Sequence, residues 1–315
     1  MMAKSAPESH SLNLIGQMAQ ILRKHLNMAG DFSTAIPNLS LHRRNRPTET
    51  IHCVYTLGLA LTLEGSKVIT SGQTEIAYGA GQSLLVSLDL PVSYRITRAT
   101  ASEPYLALML KLDMARLAQA AAALANQRET THRSCEAKRP ANSPSDFVPL
   151  AVERLDTRLL DALYRLLVSL DEPTLLGPLV PLLEQEILLR LLTSAHGPQL
   201  LRLVQTAGSA QRIAQAITWI RNHFADEMRV EELAETTHMS PTTFRQHFRS
   251  MTGMSPVQFQ KRLRLQEARQ LMLDQNMSAG SASALVGYES ASQFNREYRR
   301  LFGAPPQADV RRLLQ

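Results

Sequence analysis

Ser240-Pro241-Thr242-Thr243-Phe244-Arg245-Gln246-His247-Phe248-Arg249, followed by Gly253 and Pro256, returns 50 residues later as Ser290-Ala291-Ser292-Gln293-Phe294-Asn295-Arg296-Glu297-Tyr298-Arg299, followed by Gly303 and Pro306. Five positions are identical (Ser240/Ser290, Phe244/Phe294, Arg249/Arg299, Gly253/Gly303 and Pro256/Pro306), and Phe248/Tyr298 is aromatic in both copies. In each copy the aromatic pair stands at i and i+4, on one helix face, and reads as core. The residues between must then face outward. They are Thr242, Arg245, Gln246 and Arg249 in the first copy, and Ser292, Gln293, Asn295, Arg296, Arg299 and Arg300 in the second. Arginine pairs bidentately with guanine, and Asn or Gln with adenine, across a major groove. Residues farther along such a helix lean toward the backbone and suit phosphates. A solvated polar face explains one such helix; its return in matching frame points to a surface that reads DNA twice along one groove.

Charge agrees in sign. The net charge is +6, and residues 206–315 hold 14 Arg and Lys against 10 Asp and Glu, leaving 20 against 18 for the first 205. That is a weak bias in the direction nucleic acid requires. A length of 315 residues allows about two domains and ample core. The first residues, MMAKSAPESH, lack the apolar stretch of a secretory signal. No window approaches the roughly 18 uninterrupted apolar residues of a membrane span. A cytoplasmic protein without a membrane partner is expected. Of the two cysteines, Cys53 lies in an apolar strand-like run and reads as a small buried hydrophobe, in preference to a disulfide with Cys135 or a thiol switch.

The elements that would carry these residues are legible in outline. Leu12, Ile15, Met18, Ile21, Leu22 and Leu26 recur at helical spacing within residues 11–29. Residues 36–112 alternate short apolar runs with Gly, Pro and Asp, the pattern of a small antiparallel sandwich or barrel, with turns at Gly65, Gly72, Gly79, Gly81 and Pro91. The strands look rich in Leu and poor in inward-facing charge. An Ala-rich helix follows over 113–127, then a polar loop over 128–149, then helices over about 151–170 and 178–195. The second of these is unusually apolar from Leu179 to Leu192 and suggests a face covered by another helix, in the same subunit or a partner. His196-Gly197-Pro198 would end it, and residues 200–210 would be a hinge. Beyond the hinge all is helical. Ser240-Pro241 and Ser255-Pro256-Val257-Gln258 supply N-caps with proline at the first helical position, the second with a reciprocal capping box, and Ser290 with Gln293 forms a further capping pair.

The residues Ala234, Met239-Ser240-Pro241, Phe244, Phe248, Gly253-Met254-Ser255-Pro256, Val286-Gly287-Tyr288-Glu289-Ser290, Gln293-Phe294, Phe302-Gly303 and Pro306 together resemble the AraC/XylS family of bacterial transcription regulators, over roughly residues 211–312. The resemblance implies two helix-turn-helix units, at about 230–251 and 278–302, joined by a long central helix. Two successive major-groove segments lie roughly 34 Å apart, and a central helix of about 17 residues is roughly 25 Å long. Carried over by position, Thr242, Arg245, Gln246, Ser292, Gln293, Asn295 and Arg296 would read bases, and Ser240, Arg249, Ser290, Arg299 and Arg300 would lie near phosphates. The chain departs from the pattern at Ala282, where a large aliphatic residue is common, and at Gly280, a helix-weakening residue worth about 0.8–1 kcal/mol, so the second unit is expected to be the looser. AYGAGQSLLVSLDLPV and the strands before it are similar to the regulatory half of one AraC-type subgroup, which implies a cupin-like barrel followed by helices able to dimerise.

The fold class expected is therefore α+β. Residues 1–205 would form a regulatory and dimerisation domain containing a cupin-like β-barrel with flanking helices. Residues 206–315 would form an all-α DNA-binding domain. The function expected is a sequence-specific transcription regulator, an activator, whose partners are promoter DNA, a second copy of the chain and, in addition, RNA polymerase. Its barrel would either hold a small organic effector or be filled by its own side chains. The alternative class is a cupin-type enzyme, metal-free or metal-dependent, with a DNA-binding tail. The chain offers no paired-carboxylate motif, nucleophile elbow or zinc-site spacing for it, and His42 and His52, which lack the spacing of a metal-binding cupin, read as surface or sheet-edge residues. No enzyme activity, metal or other cofactor is expected.

Overall fold

A computed structural model describes residues 6–131, 147–204 and 208–314; Cys135 and most of the loop expected over 128–149 fall outside these. Helix α1 (Ala6–His25) precedes nine strands: β1 (Gly30–Ser33), β2 (Leu39–Arg44), β3 (Ile51–Tyr55), β4 (Gly58–Glu64), β5 (Ser66–Ser71), β6 (Thr74–Gly79), β7 (Gln82–Val86), β8 (Leu90–Arg98) and β9 (Tyr105–Lys111). After α2 (Met114–Thr131) comes a tenth strand, β10 (Leu150–Arg154). Among the described residues all pairings are antiparallel, and hydrogen bonding divides the strands into two sheets, β1-β2-β9-β4-β7-β10 and β3-β8-β5-β6.

Period-2 alternation gives the larger sheet two distinct faces. Leu39, Leu41, Leu59, Leu61 and Leu63 are buried on one parity, in the core shared with Leu14, Met18, Leu22 and Leu26 of α1. Each such side chain contributes about 1.5–3 kcal/mol on burial. Ser40, His42, Arg44 and Ala60, on the other parity, face the space between the sheets. Leu12 is exposed and Leu14 takes the buried place.

Residues 150–154 depart from the expected helix. They pair with β7, and α3 (Thr157–Val168) begins only at Asp156, whose carboxylate accepts from the backbone N–H groups of Arg158 and Leu159. Helix α4 (Leu176–Thr193) follows. Its Leu183, Ile187, Leu188, Leu191 and Leu192 are buried within this chain, so intramolecular packing claims most of the apolar face, while Leu182 remains 65% exposed. Gly197, expected to end the preceding helix, opens a further one, α5 (Gly197–Val204), which runs into the stretch expected to be a hinge.

The remainder is helical: α6 (Ser209–Asn222), α7 (Val230–Thr236), α8 (Pro241–Thr252), α9 (Pro256–Asp274), α10 (Ala279–Leu285), α11 (Ala291–Phe302) and α12 (Pro306–Leu313). Phe244, Phe248, Met251, Phe259 and Leu263 join the core of the N-terminal half. Leu265, Ala268, Met272, Ala282, Val286, Tyr288, Phe294, Tyr298 and Phe302 form a separate cluster.

Candidate nucleic-acid interface

The repeat resolves into two helices built by the same local chemistry. Ser240 caps α8 by accepting from the backbone N–H of Thr243 at 3.2 Å, and Ser290 caps α11 by accepting from that of Gln293 at 3.3 Å. Gly253 and Gly303 end them in the left-handed region, at φ 73° and 80°, where side chains are disfavoured. Pro256 and Pro306 then stand in the first turns of α9 and α12. Each helix turns its aromatic pair inward: Phe244 and Phe248 pack with ring centroids 5.6 Å apart, Phe294 and Tyr298 at 5.5 Å.

The outward faces match position by position. Thr242, Arg245, Gln246 and Arg249 are exposed on α8, and Ser292, Asn295, Arg296, Arg299 and Arg300 on α11. Gln293 is the exception: it is half-buried and donates to Glu297 at 3.2 Å. Arg245 pairs across the helix-turn-helix with Glu231 of α7, an exposed contact of small energetic weight. The oxygens of Ser240 and Ser290 are engaged as caps. Among the described residues, the other ion pairs of this half engage Arg221, Arg229, Lys261, Arg269 and Arg312, and Arg249, Arg296, Arg299 and Arg300 lie outside them. Gly280 falls in the first turn of α10, after the Ser278 cap, and Ala282 is fully buried.

Central helix α9 fixes the two units to each other through side chains that spacing alone did not single out. Arg264 donates to the carbonyls of Phe224 (2.6 Å), Ala225 (3.2 Å) and Asp226 (2.9 Å) in the turn leading into the first unit and of Gly287 (2.7 Å) in the second. Gln260 donates to the Phe224 and Asp226 carbonyls at 3.1 and 2.9 Å. Glu297 of α11 accepts from Lys261 (2.7 Å), Tyr288 (2.7 Å) and Gln293. Burial pulls its carboxyl upward, but those donors prevail and hold it below the usual glutamate range. Asp309 of α12 is 0% exposed and takes a bidentate pair from Arg269 at 2.8 and 3.0 Å, plus the Tyr298 hydroxyl at 2.9 Å. Polar residues inside a helical repeat carry no periodic signal, which is why these partners are visible only in three dimensions.

A family model described as the AraC-type transcriptional regulator N-terminus matches residues 35–199. The chain belongs to the AraC-type transcriptional regulators. A helix-turn-helix domain model matches residues 233–312. Among curated relatives, the HTH-type transcriptional activator RhaS of Escherichia coli (strain SE11) is 31% identical over 103 residues, covering 33% of this chain and 37% of RhaS. The HTH-type transcriptional regulator YobQ of Bacillus subtilis (strain 168) is 30% identical over 91 residues, covering 29% of this chain and 38% of YobQ. The alignments thus span less than two fifths of these relatives. An apo structure of ToxT from Vibrio cholerae strain SCE256 aligns over 88% of this chain and 98% of ToxT, at 7% identity and a TM-score of 0.53, a likeness of fold.

In this AraC-type chain the two halves touch along β3 and β8. Gln266 of α9 donates to the carbonyls of Cys53 (2.9 Å) and Val92 (3.4 Å). His52 meets the Phe302 ring edge-on at 5.1 Å, Arg221 of α6 pairs with Asp89, and Arg312 pairs with Glu49 at 2.6 Å. His52 thus lies on an edge strand, as expected, and also at the contact between the halves. Burial, with the charges of Arg269 and Arg262, lowers its pKa to about 4.

Between the sheets lies a cavity of about 240 Å3. The strands carry more inward charge than their Leu-rich composition suggested, because alternation turns Asp31, His42, Arg44 and Lys67 toward it. Asp31 accepts from His42 at 2.6 Å and Arg44 at 2.8 Å. Burial opposes its ionisation, yet these partners hold its carboxyl well below the usual range. His42 is therefore a cavity residue, unlike the sequence expectation.

Proposed function

We propose that this chain is a sequence-specific DNA-binding transcription regulator, an activator, that reads two successive major-groove segments. The observation that carries the reading is the pair of capped helices, α8 and α11, with exposed polar faces in the same frame. They are joined through α9, whose 19 residues span roughly 28 Å. In this reading Thr242, Arg245, Gln246, Ser292, Gln293, Asn295 and Arg296 meet base edges, and Ser240, Arg249, Ser290, Arg299 and Arg300 lie near phosphates. For Gln293 this requires exchange of its bond to Glu297 for a base contact. RhaS, described as an activator, supports that sign of regulation. The enzyme alternative gains nothing from the comparisons, whose named relatives are transcription regulators.

The N-terminal half would sense a small organic effector in the cavity between its sheets and hold the chain as a cytoplasmic homodimer, with RNA polymerase as a further partner. Exposed Leu182 and Leu175 on and beside α4 support a dimer contact. No helix among the described residues is long and apolar enough to cross a membrane.

Genome-wide mapping of bound sites followed by footprinting tests the reading. Two protected segments about one helical turn apart on one face of the duplex are expected. Equal affinity for random and mapped DNA overturns it. Sedimentation at high micromolar concentration tests the dimer, and a monomer rejects it.

A further inference from the structure

Lys67, on β5, is 6% exposed, and its ammonium has one hydrogen-bond partner among the described residues, the Tyr55 hydroxyl at 2.6 Å. Two of its three donors remain unspent. Four tyrosine rings surround it, with centroids at 4.5 Å (Tyr94), 5.2 Å (Tyr55), 5.7 Å (Tyr78) and 5.8 Å (Tyr105). Ring faces offset part of the cost of desolvation but leave the charge in place. No ion pair among the described residues includes Lys67, since Asp31, the acidic residue of the cavity, is committed to His42 and Arg44.

Nothing else in the wall supplies a negative charge. Burial pushes the Cys53 thiol up to about 12 and raises the Tyr55, Tyr78 and Tyr94 hydroxyls, so all stay neutral near pH 7. A buried cation without an anion is disfavoured; a ligand that brings the anion relieves the imbalance. The faces of the tyrosine cage are already taken by the ammonium of Lys67, which excludes a cationic ligand. The space, about 240 Å3, exceeds the roughly 150 Å3 that admits benzene in an apolar cavity.

We propose that Lys67 anchors the carboxylate of a small organic acid, whose apolar body lies against Ile96, Ala107 and Met109 in the same cavity. The proposal rests on the reading of the N-terminal half as an effector-binding unit and names the ligand class of that site. The carboxylate takes the unspent donors of Lys67, and the Tyr55 hydroxyl orients the pair. The ligand would also bear on Tyr55 and Tyr94, on the strands β3 and β8 that hold Gln266 of the central helix, so occupancy reaches the DNA-binding half without an intermediary.

The test is calorimetric titration of the full chain with carboxylates from butyrate to phenylacetate, and with phenylacetamide and 2-phenylethylamine as neutral and cationic counterparts. At least one acid should bind, and phenylacetate should bind at least tenfold more tightly than the amide, with no binding of the amine. Lys67→Met should abolish that preference without lowering the melting temperature of the free protein, and Lys67→Arg should retain it. Amide and acid binding equally in both wild type and Lys67→Met would overturn the anion site while leaving an effector cavity. Failure of every compound to bind at millimolar concentration would overturn both, leaving a scaffold. Should Lys67→Met not fold, Tyr55→Phe carries the comparison: acid affinity should fall several-fold with amide affinity unchanged, and an unchanged acid affinity counts against the proposal.

Discussion

At the scale of single residues, the exposed arginines divide by position along their helices. Arg245 aligns with Asn295 and Arg296 with Gln246, so the two arginines stand one position apart in the repeat, both toward the N-terminal halves of α8 and α11. Replacing either with Ala should weaken binding to a mapped site by about 1–3 kcal/mol while affecting random DNA far less. Arg249 and Arg299, one turn farther on, should act through phosphates. Their loss should weaken binding to all sequences and reduce the salt slope by about one each, read in a salt titration. Equal losses on both kinds of DNA for Arg245→Ala would move it to the phosphate group. Asp309 is a different kind of residue. Asp309→Ala leaves the 7%-exposed Arg269 without its carboxylate, and breaking a buried pair from one side costs about 3–5 kcal/mol. Denaturant unfolding should show that loss.

At the scale of elements, the two units depend on one close approach. Gly287, in the turn between α10 and α11, has φ 84°, and a Cβ placed on it would lie 2.1 Å from the Ala225 carbonyl oxygen in the turn leading into the first unit. That carbonyl and Gly287's own both accept from Arg264. Gly287→Ala must therefore part these two segments or strain the backbone of both, beyond the roughly 1–2 kcal/mol that a left-handed side chain costs. Faster amide exchange in α10 and α11, with α8 little changed, is the expected signature. Protection unchanged in all three helices would contradict this account of the joint. Gln266→Ala, by contrast, removes a bond between the halves, and should loosen them while each retains its own fold. An increased radius in small-angle scattering would report it.

At the scale of the whole molecule, pH acts through buried histidine. His196 is 1% exposed at the corner between α4 and α5, with Nε2 2.8 Å from the Ser83 hydroxyl. Burial lowers its pKa to about 4 from 6.5. The folded state therefore favours the neutral ring. Its stabilising effect is complete above pH 6.5 and is lost as pH falls toward 4. Between pH 7 and pH 5 the loss is about 2 kcal/mol. His52, shifted in the same direction, sits at the contact between the halves, so acid should weaken that contact as well. Urea unfolding at the two pH values checks the first expectation, and His196→Gln should shrink the difference.

The sequence by itself determined what depends on near neighbours along the chain. The caps at Ser240, Ser255 and Ser290, the glycine stops, the aromatic seams and the exposed polar faces are all set within a turn or two of helix, where residue type and spacing decide. The alternating runs likewise announced strands. Tertiary structure decided what depends on distant partners. Leu150–Arg154 became a strand because β7 offered an open edge, which local pattern cannot reveal. The apolar face of α4 was claimed mostly by this chain's own helices. His42 and Lys67 turned inward because sheet pairing sets which parity of a strand faces the cavity. Arg264 and Asp309 gained meaning only when residues tens of positions away supplied their partners: hydrogen bonds and ion pairs act over a few ångströms of space, and sequence distance does not measure that.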